Sequence, residues 1–350
     1  MKFHPCTVLL KHNLRIRKLV QDYRMKRLDW FKGVNIILTY RCNLGCEYCY
    51  EKGVKLNYSD ITLDDFEKTI KWLRENNKEK IILLGGEPTQ HANFEEILAI
   101  CSKYQMYIVL LTNMAFGDSI VKAISQYKRC VLQANVNGPA TYPKEIYERV
   151  CSNVIRLYTN VVAVVLRYNI YKDNSDFTAI VKLAKDINSS IRFSLINSPL
   201  NCESGVKQNR EHVENVYEKK SIVRFLDTCE KEKVSAFFAR PVPKCLFSQE
   251  EIQKYKKNGI KYKCYVGRND DYAARVNIQP DMSVMACYGV PIRGPKVTSF
   301  KSYQELSEYY KDSFIKLRKI PAMSKCQTCP EYLNNVCQGG CLSERKEWDL

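Results

Sequence analysis

The chain has no long apolar run. Nowhere do 18 or more apolar residues follow one another, so no transmembrane helix is expected. Its start, Met1-Lys-Phe-His-Pro5, leads into only a short apolar patch from Cys6 to Leu10. That is too little for a secretory signal, and the expectation is a cytoplasmic protein with no membrane contact. Histidine is scarce. The four present (His4, His12, His91 and His212) are scattered, and none has a partner visible in the sequence, so no catalytic acid or base is assigned. Internal repeats and low-complexity tracts are also missing, which excludes a repeat array. Acidic residues are outnumbered, 38 against 55 basic, for a formal charge of +17. That balance suits an acidic partner: an acidic peptide, a phosphorylated molecule or RNA. The densest basic and aromatic stretch, Lys254–Lys263, reads as a solvated loop, as charge runs usually are.

Cysteine, by contrast, is abundant, with sixteen. In a reducing compartment disulfides are disfavoured, and clustered thiols point to metal. They cluster at 42–49 and again at 326–341. Cys6, Cys101, Cys130, Cys151, Cys202 and Cys229 lie singly and read as small buried side chains.

The first cluster is Cys42-x3-Cys46-x2-Cys49, with Tyr48 just before the last thiol. Each iron of a cubane cluster needs a ligand beyond its sulfides, and three thiolates leave one iron open to a substrate or cofactor. A structural zinc site would want a fourth Cys or His nearby, and the next is His91. Residues 34–39 read as a buried strand, which puts the thiols just past its C-terminal end, where ligand sites of α/β folds lie. This segment closely resembles the cluster loop of the radical S-adenosylmethionine (radical SAM) superfamily.

A length of 350 residues with 45% hydrophobic and 27% charged content fits a large α/β domain plus a smaller one. Apolar runs at 34–39, 80–84, 106–112, 130–136, 160–168 and 191–196 read as strands buried on both faces. Helices are expected at 62–76, with Thr62 as N-cap, and at 92–103, 118–127, 143–158, 174–187 and 208–230. Strand–helix alternation alone also fits a doubly wound sheet. The resemblance implies an α/β fold with an open, partial (β/α)6 TIM-like barrel. We expect a basic extension over 1–32, forming one helix, a core over 33–235, and a small cysteine-rich domain over 236–350. A hairpin is expected from 274–279 and 283–286.

Gly85-Gly86-Glu87-Pro88 directly follows the second strand. Two glycines let the backbone approach a ligand closely, though a lone turn of this kind is weak evidence. Placed one strand after the thiols, it matches the family's methionine-binding turn. The resemblance implies that Gly85, Gly86 and Glu87 hold the amino end of S-adenosylmethionine (SAM), with Pro88 completing the turn. Later strand ends follow in order. Thr112 and Asn113 end the third, and Asn135 and Asn137 the fourth, where Asn137 replaces the family's usual Asp. Arg167 and Asn169 end the fifth. The Arg167 fork suits the SAM carboxylate, and a surface salt bridge is the alternative.

The second cluster is Cys326-x2-Cys329-x7-Cys337-x3-Cys341, preceded by Cys245, Cys264 and Cys287. It resembles the SPASM and Twitch extensions that hold auxiliary iron–sulfur clusters. Met282 stands where the pattern has Gly, and no cysteine follows Cys341. One auxiliary 4Fe–4S cluster, or two, are both open. In the second case Cys245 or another donor joins Cys264, Cys287 and Cys341, while Cys326, Cys329 and Cys337 hold the other. Tetrahedral zinc at 326–341 is the alternative.

The resemblance implies an enzyme that cleaves SAM reductively to a 5′-deoxyadenosyl radical, which removes hydrogen from a substrate. A reductant such as flavodoxin or ferredoxin is implied. A peptide or protein side chain is the first substrate class, with a separate peptide-recognition protein as a possible partner. Dehydrogenation or rearrangement of a small molecule such as a sugar is the second. A non-enzymatic zinc- or cluster-bearing RNA-binding protein is the third, disfavoured by the Gly-Gly-Glu turn. Cys202, Cys229 and Cys245 are candidate hydrogen donors.

Overall fold

In the computed structural model, residues 33–46, 48–49, 59–160, 162–170, 176–195 and 219–344 are described. The basic segment 1–32, the first part of the helix expected at 208–230, and Cys202 lie outside them. Strand β1 (Val34–Ile37) leads to α1 (Leu63–Glu75), β2 (Lys80–Leu84) to α2 (Phe94–Lys103), and β3 (Tyr107–Thr112) to α3 (Asp118–Gln126). Then β4 (Cys130–Asn135) leads to α4 (Lys144–Thr159), β5 (Ala163–Ile170) to α5 (Thr178–Asp186), and β6 (Ile191–Leu195) to α6 (Lys219–Lys231). A seventh strand, β7 (Ala236–Phe238), follows. Each neighbouring pair from β1 to β7 is parallel.

The two faces of this sheet differ. Ile36, Leu83, Leu110, Leu132 and Val164 fall in one row across five strands, all fully buried. They belong to the large core shared with the helices. The opposite face starts apolar, with Ile37, Val109, Val131 and Val165 in a separate small core. Because side chains alternate along a strand, Val131, Gln133 and Asn135 share that face. So do Val165, Arg167 and Asn169 on β5, and Arg192 and Ser194 on β6. The inner face therefore turns polar toward the C-terminal strand ends. Helix α1 begins as expected, with Thr62 Oγ1 accepting from Asp65 N at 3.0 Å.

The boundary expected at 235 does not interrupt the sheet. Strand β7 lies beyond it and forms one edge. At the other edge β8 (Asn277–Ile278), β9 (Ser283–Cys287) and β10 (Val290–Lys296) continue the same sheet, whose order is β10-β9-β8-β1-β2-β3-β4-β5-β6-β7. Strand β8 is parallel to β1, and the hairpin partners are antiparallel. The β9–β10 pairing has register shifts. Strand β10 was not expected, since Pro291, Gly294 and Pro295 argue against pairing; an edge strand tolerates them. Between β8 and β9, Met282 has φ +66° and is 5% exposed. It takes the backbone conformation that glycine usually supplies, and its buried side chain offsets the cost. The C-terminal part also contains α7 (Gln249–Lys254), α8 (Tyr303–Lys319) and α9 (Pro330–Leu333). Helix α8 was not expected, although its capping signal was present: Ser302 Oγ accepts from Glu305 N at 3.1 Å.

Candidate active site

The loop after β1 is held by backbone contacts with the glycine turn. Gly86 N donates to Thr39 O at 2.9 Å and Glu87 N to Arg41 O at 2.8 Å. A Cβ on Gly85 would lie 2.1 Å from Thr39 O, and one on Gly86 would lie 2.4 Å from Arg41 O. Gly85 also has φ +148°. The glycines are thus required by the approach of the cysteine loop itself. From the other side, Asn113 Nδ2 donates to Asn43 Oδ1 at 2.8 Å, and Asn43 Nδ2 to Ala115 O at 2.7 Å. Arg41 pairs with Asp60, whose Oδ1 also accepts from Thr39 Oγ1 at 2.6 Å.

Cys42 is exposed, and Cys46 and Cys49 are half-buried. Burial pushes the Cys42 thiol up to about 11, opposed by the Leu44 backbone N–H and reinforced by Glu87, Cys46 and Cys49. The three sulfurs therefore share one small region. Leu44 N donates to Cys42 Sγ at 3.4 Å and Asn113 Nδ2 to the same sulfur at 3.8 Å, contacts that favour a thiolate.

A cavity of about 190 Å³ opens beside these thiols. Its wall includes Tyr48, Gly85, Gly86 and Glu87, then Thr112 and Asn113, then Asn135, Arg167 and Asn169. Nine of the eleven positions picked for SAM thus meet at one opening. Pro88 and Asn137 do not line it. Pro88 is buried behind the turn, and Asn137, 1% exposed, braces Asn169 by donating from Nδ2 to its carbonyl at 3.2 Å. Polar links run along the wall: Asn135 Nδ2 donates to Tyr48 Oη at 3.1 Å, and Asn169 Nδ2 to Asn135 Oδ1 at 2.8 Å. The Tyr48 hydroxyl is pushed well up by burial.

The expected role of the Glu87 side chain needs refinement. Its carboxylate is 1% exposed. Oε1 accepts from the hydroxyls of Thr89 (2.7 Å) and Thr112 (2.8 Å), and Oε2 from Asn113 N at 2.7 Å. Burial raises its pKa while these hydrogen bonds lower it, and the net direction is upward. Glu87 ties the end of β2 to the end of β3, and that tie sets the position of Asn113.

The cavity wall also includes Gln133, Ser194, Arg240 and Tyr288, which sequence reading did not single out. Gln133 and Ser194 carried a signal, as polar residues in apolar runs on the face of Asn135 and Arg167. Arg240 follows β7, and Tyr288 adjoins Cys287, so only the fold brings them here. His91 is structural: its ring is buried, with Nε2 2.8 Å from Ile61 O and Nδ1 accepting from Asn93 N at 3.2 Å. Cys229 is 1% exposed in the core away from the cavity, which removes it as a hydrogen donor.

Three of the C-terminal thiols, Cys264, Cys287 and Cys341, lie within electrostatic reach of one another. Cys264 is pushed up to about 12 by burial and then by Cys341 and Cys287, with the Val266 N–H opposing. The same three sulfurs act on the half-buried Arg275, whose guanidinium stacks 4.4 Å from the Tyr265 ring centroid. Cys337 Sγ accepts from Gly339 N at 3.2 Å and from Lys244 N at 3.4 Å. Cys329 N donates to Cys326 O at 3.3 Å. Among the described residues, no three Cys, His, Asp or Glu groups are close enough to hold a single metal ion. A polynuclear cluster takes one thiolate per iron, and the chemistry of these donors fits that need, as does the grouping of Cys264, Cys287 and Cys341.

Residues 36–182 match the family described as the Radical SAM superfamily. The GTP 3′,8-cyclase of Aquifex aeolicus (strain VF5) is 34% identical over 101 residues, covering 27% of this chain and 32% of that protein. The antilisterial bacteriocin subtilosin biosynthesis protein AlbA of Bacillus subtilis (strain 168) is 29% identical over 96 residues, covering 27% of this chain and 21% of that one. The chain thus aligns with about a third or less of the length of these relatives. Among solved structures, anSMEcpe with bound AdoMet superposes with TM-score 0.62 at 18% identity, covering 91% of this chain and 92% of that one. Streptococcus suis SuiB bound to precursor peptide SuiA gives TM-score 0.60 at 14% identity, covering 92% and 74%. These likenesses show a shared fold: the open, largely parallel α/β sheet described above is consistent with the partial barrel expected from the sequence.

Proposed function

We propose that this chain, whose residues 36–182 match the Radical SAM superfamily, is a radical SAM enzyme that modifies a peptide or protein side chain. One observation carries this reading: a single cavity unites the Cys42, Cys46 and Cys49 loop, the Gly85-Gly86 turn and the polar ends of β3 to β6. When bound, a 4Fe–4S cluster with an open iron would supply the electron that cleaves SAM to a 5′-deoxyadenosyl radical. Cys42, Cys46 and Cys49 would hold the cluster. The backbone of Gly85 and Gly86, which lines the cavity beside the thiols, would hold the methionine end. Glu87 keeps Asn113 and the strand ends in place. Asn135, Asn169 and Tyr48 offer hydrogen bonds to polar groups, and Arg167 offers its fork to a carboxylate. Leu84, Leu111 and Leu195 give the wall apolar surface that limits water.

The C-terminal thiols fit two auxiliary clusters. Cys264, Cys287 and Cys341 would hold one, and Cys326, Cys329 and Cys337 the other. Lys244 N bonds to Cys337 Sγ, so we place the adjacent Cys245 with the second group. A peptide substrate is supported by the fold shared with SuiB, whose structure contains its precursor peptide. A nucleotide is the second reading, supported by the local identity to a GTP 3′,8-cyclase. We expect a cytoplasmic protein served by a flavodoxin or ferredoxin.

The test is anaerobic reconstitution with iron and sulfide, reduction with SAM, and assay for 5′-deoxyadenosine. Product is expected from the parent and none from the variant with Cys42, Cys46 and Cys49 all changed to Ala. Zinc without iron in oxygen-free protein, or parent-level cleavage by the variant, overturns the reading.

A further inference from the structure

Arginines gather at the end of the cavity opposite the turn. Arg240 lines it, and its Nη1 is shut off from water and has no hydrogen-bond partner among the described residues. Arg192 stands behind on β6, 7% exposed, donating from Nη1 to Gln133 Oε1 at 2.9 Å. The strongest charges acting on Arg192 are those of Arg167, Arg275 and Arg240, all positive. Arg275 faces Cys287, Cys264 and Cys341, so its charge is directed mainly to those thiols. The cavity's one described carboxylate, Glu87, already accepts hydrogen bonds at both oxygens.

Gathering like charges away from water is costly unless an anion joins them. SAM brings one carboxylate, for which Arg167 at the end of β5 is placed. Arg240 follows β7, two strands further round, and keeps a donor that no described residue uses. We propose that Arg240, backed by Arg192, forms an oxyanion subsite that takes a carboxylate or phosphate group of the substrate. This rests on the active-site reading above. It narrows the substrate to one with an anionic group close to the carbon that loses hydrogen. An acidic residue in a peptide supplies such a group, and so does a nucleotide.

The test is calorimetric titration of the reconstituted full chain, saturated with SAM, using N-acetylglutamate and, separately, inorganic phosphate. The parent is expected to bind at least one. Arg240→Gln should weaken that binding roughly tenfold or more, since hydrogen bonds to charged groups contribute about 1.5–3 kcal/mol. Arg149→Gln, at an exposed arginine, should match the parent. Preference for N-acetylglutamate points to the peptide, and preference for phosphate to the nucleotide. If the parent binds neither, or Arg240→Gln binds as the parent does, the subsite is refuted. Should Arg240→Gln fail to fold, Arg240→Lys decides: the lost fork must weaken binding several-fold, and unchanged affinity refutes the proposal. Formation of 5′-deoxyadenosine by the parent, measured alongside, tests the active-site reading separately.

Discussion

The two thiol regions of this protein are built on opposite plans. The first is local. Three cysteines fall within eight residues on one loop, and that loop is fixed by backbone hydrogen bonds to the next strand's glycine turn. The second is assembled from distant segments. Cys264, Cys287 and Cys341 come from a loop, the end of β9 and the C-terminal region, and they gather round Arg275. A local site depends on backbone shape, and a gathered site depends on the fold around it.

The largest effects should come from breaking the first plan. Changing Cys42, Cys46 and Cys49 together to Ala should abolish 5′-deoxyadenosine formation and remove about four irons per chain. Iron analysis beside the activity assay checks both, and a loss of all iron would mean the two regions load as one. Next is Gly86→Ala, whose Cβ would meet Arg41 O at 2.4 Å. It should cost about 1–3 kcal/mol or more and impair cluster loading. Gly45→Ala, with nothing within 4 Å of its Cβ, should change stability little. Equal melting temperatures for the two variants would contradict the stapled loop.

The gathered region is probed by Arg275→Met. Removing a positive charge beside Cys264, Cys287 and Cys341 makes reduction less favourable, so the potential of that auxiliary cluster should fall. Potentiometric titration followed by electron paramagnetic resonance reads this directly, and an unchanged potential would detach Arg275 from the cluster. The smallest effect concerns Lys261, held down to about 8 by burial and by Arg192, Arg275 and Arg268. Between about pH 8 and its ordinary value of 10.5, the unfolded chain binds more protons than the folded one. Stability from this group therefore rises with pH across that window. Lys261→Met should flatten the rise in urea melts at pH 8 and pH 10.

What could be read in the sequence follows the same division. The spacing of Cys42, Cys46 and Cys49, the Gly85-Gly86-Glu87 turn and the order of strand ends were legible because each is written in contiguous residues. So were six parallel strands, most of them largely apolar runs. Strand β7 was missed because three residues, Ala236–Phe238, make too short a pattern. Strand β10 was hidden by its prolines. Arg240 and Tyr288 could not be placed, since nothing local shows that β7 and β9 end near the cavity. Asn137 lies two residues past Asn135, just after β4 ends, and its side chain donates to the Asn169 carbonyl on the neighbouring strand rather than lining the cavity, which the sequence does not reveal.

The pairing of β1 with β8 has a further consequence. Asn35 Nδ2 donates to Asn277 Oδ1 at 2.9 Å, and Tyr40 Oη to Gln279 Oε1. The strand that presents the thiol loop is thus hydrogen-bonded on one side to β2 and on the other to residues more than two hundred positions later. A ribosome makes roughly 5–20 residues per second, so ten seconds or longer separate the first partner from the second. Throughout that interval one edge of β1 is bare, and the nascent polypeptide offers its sulfurs to iron delivery before the last wall of the chamber exists.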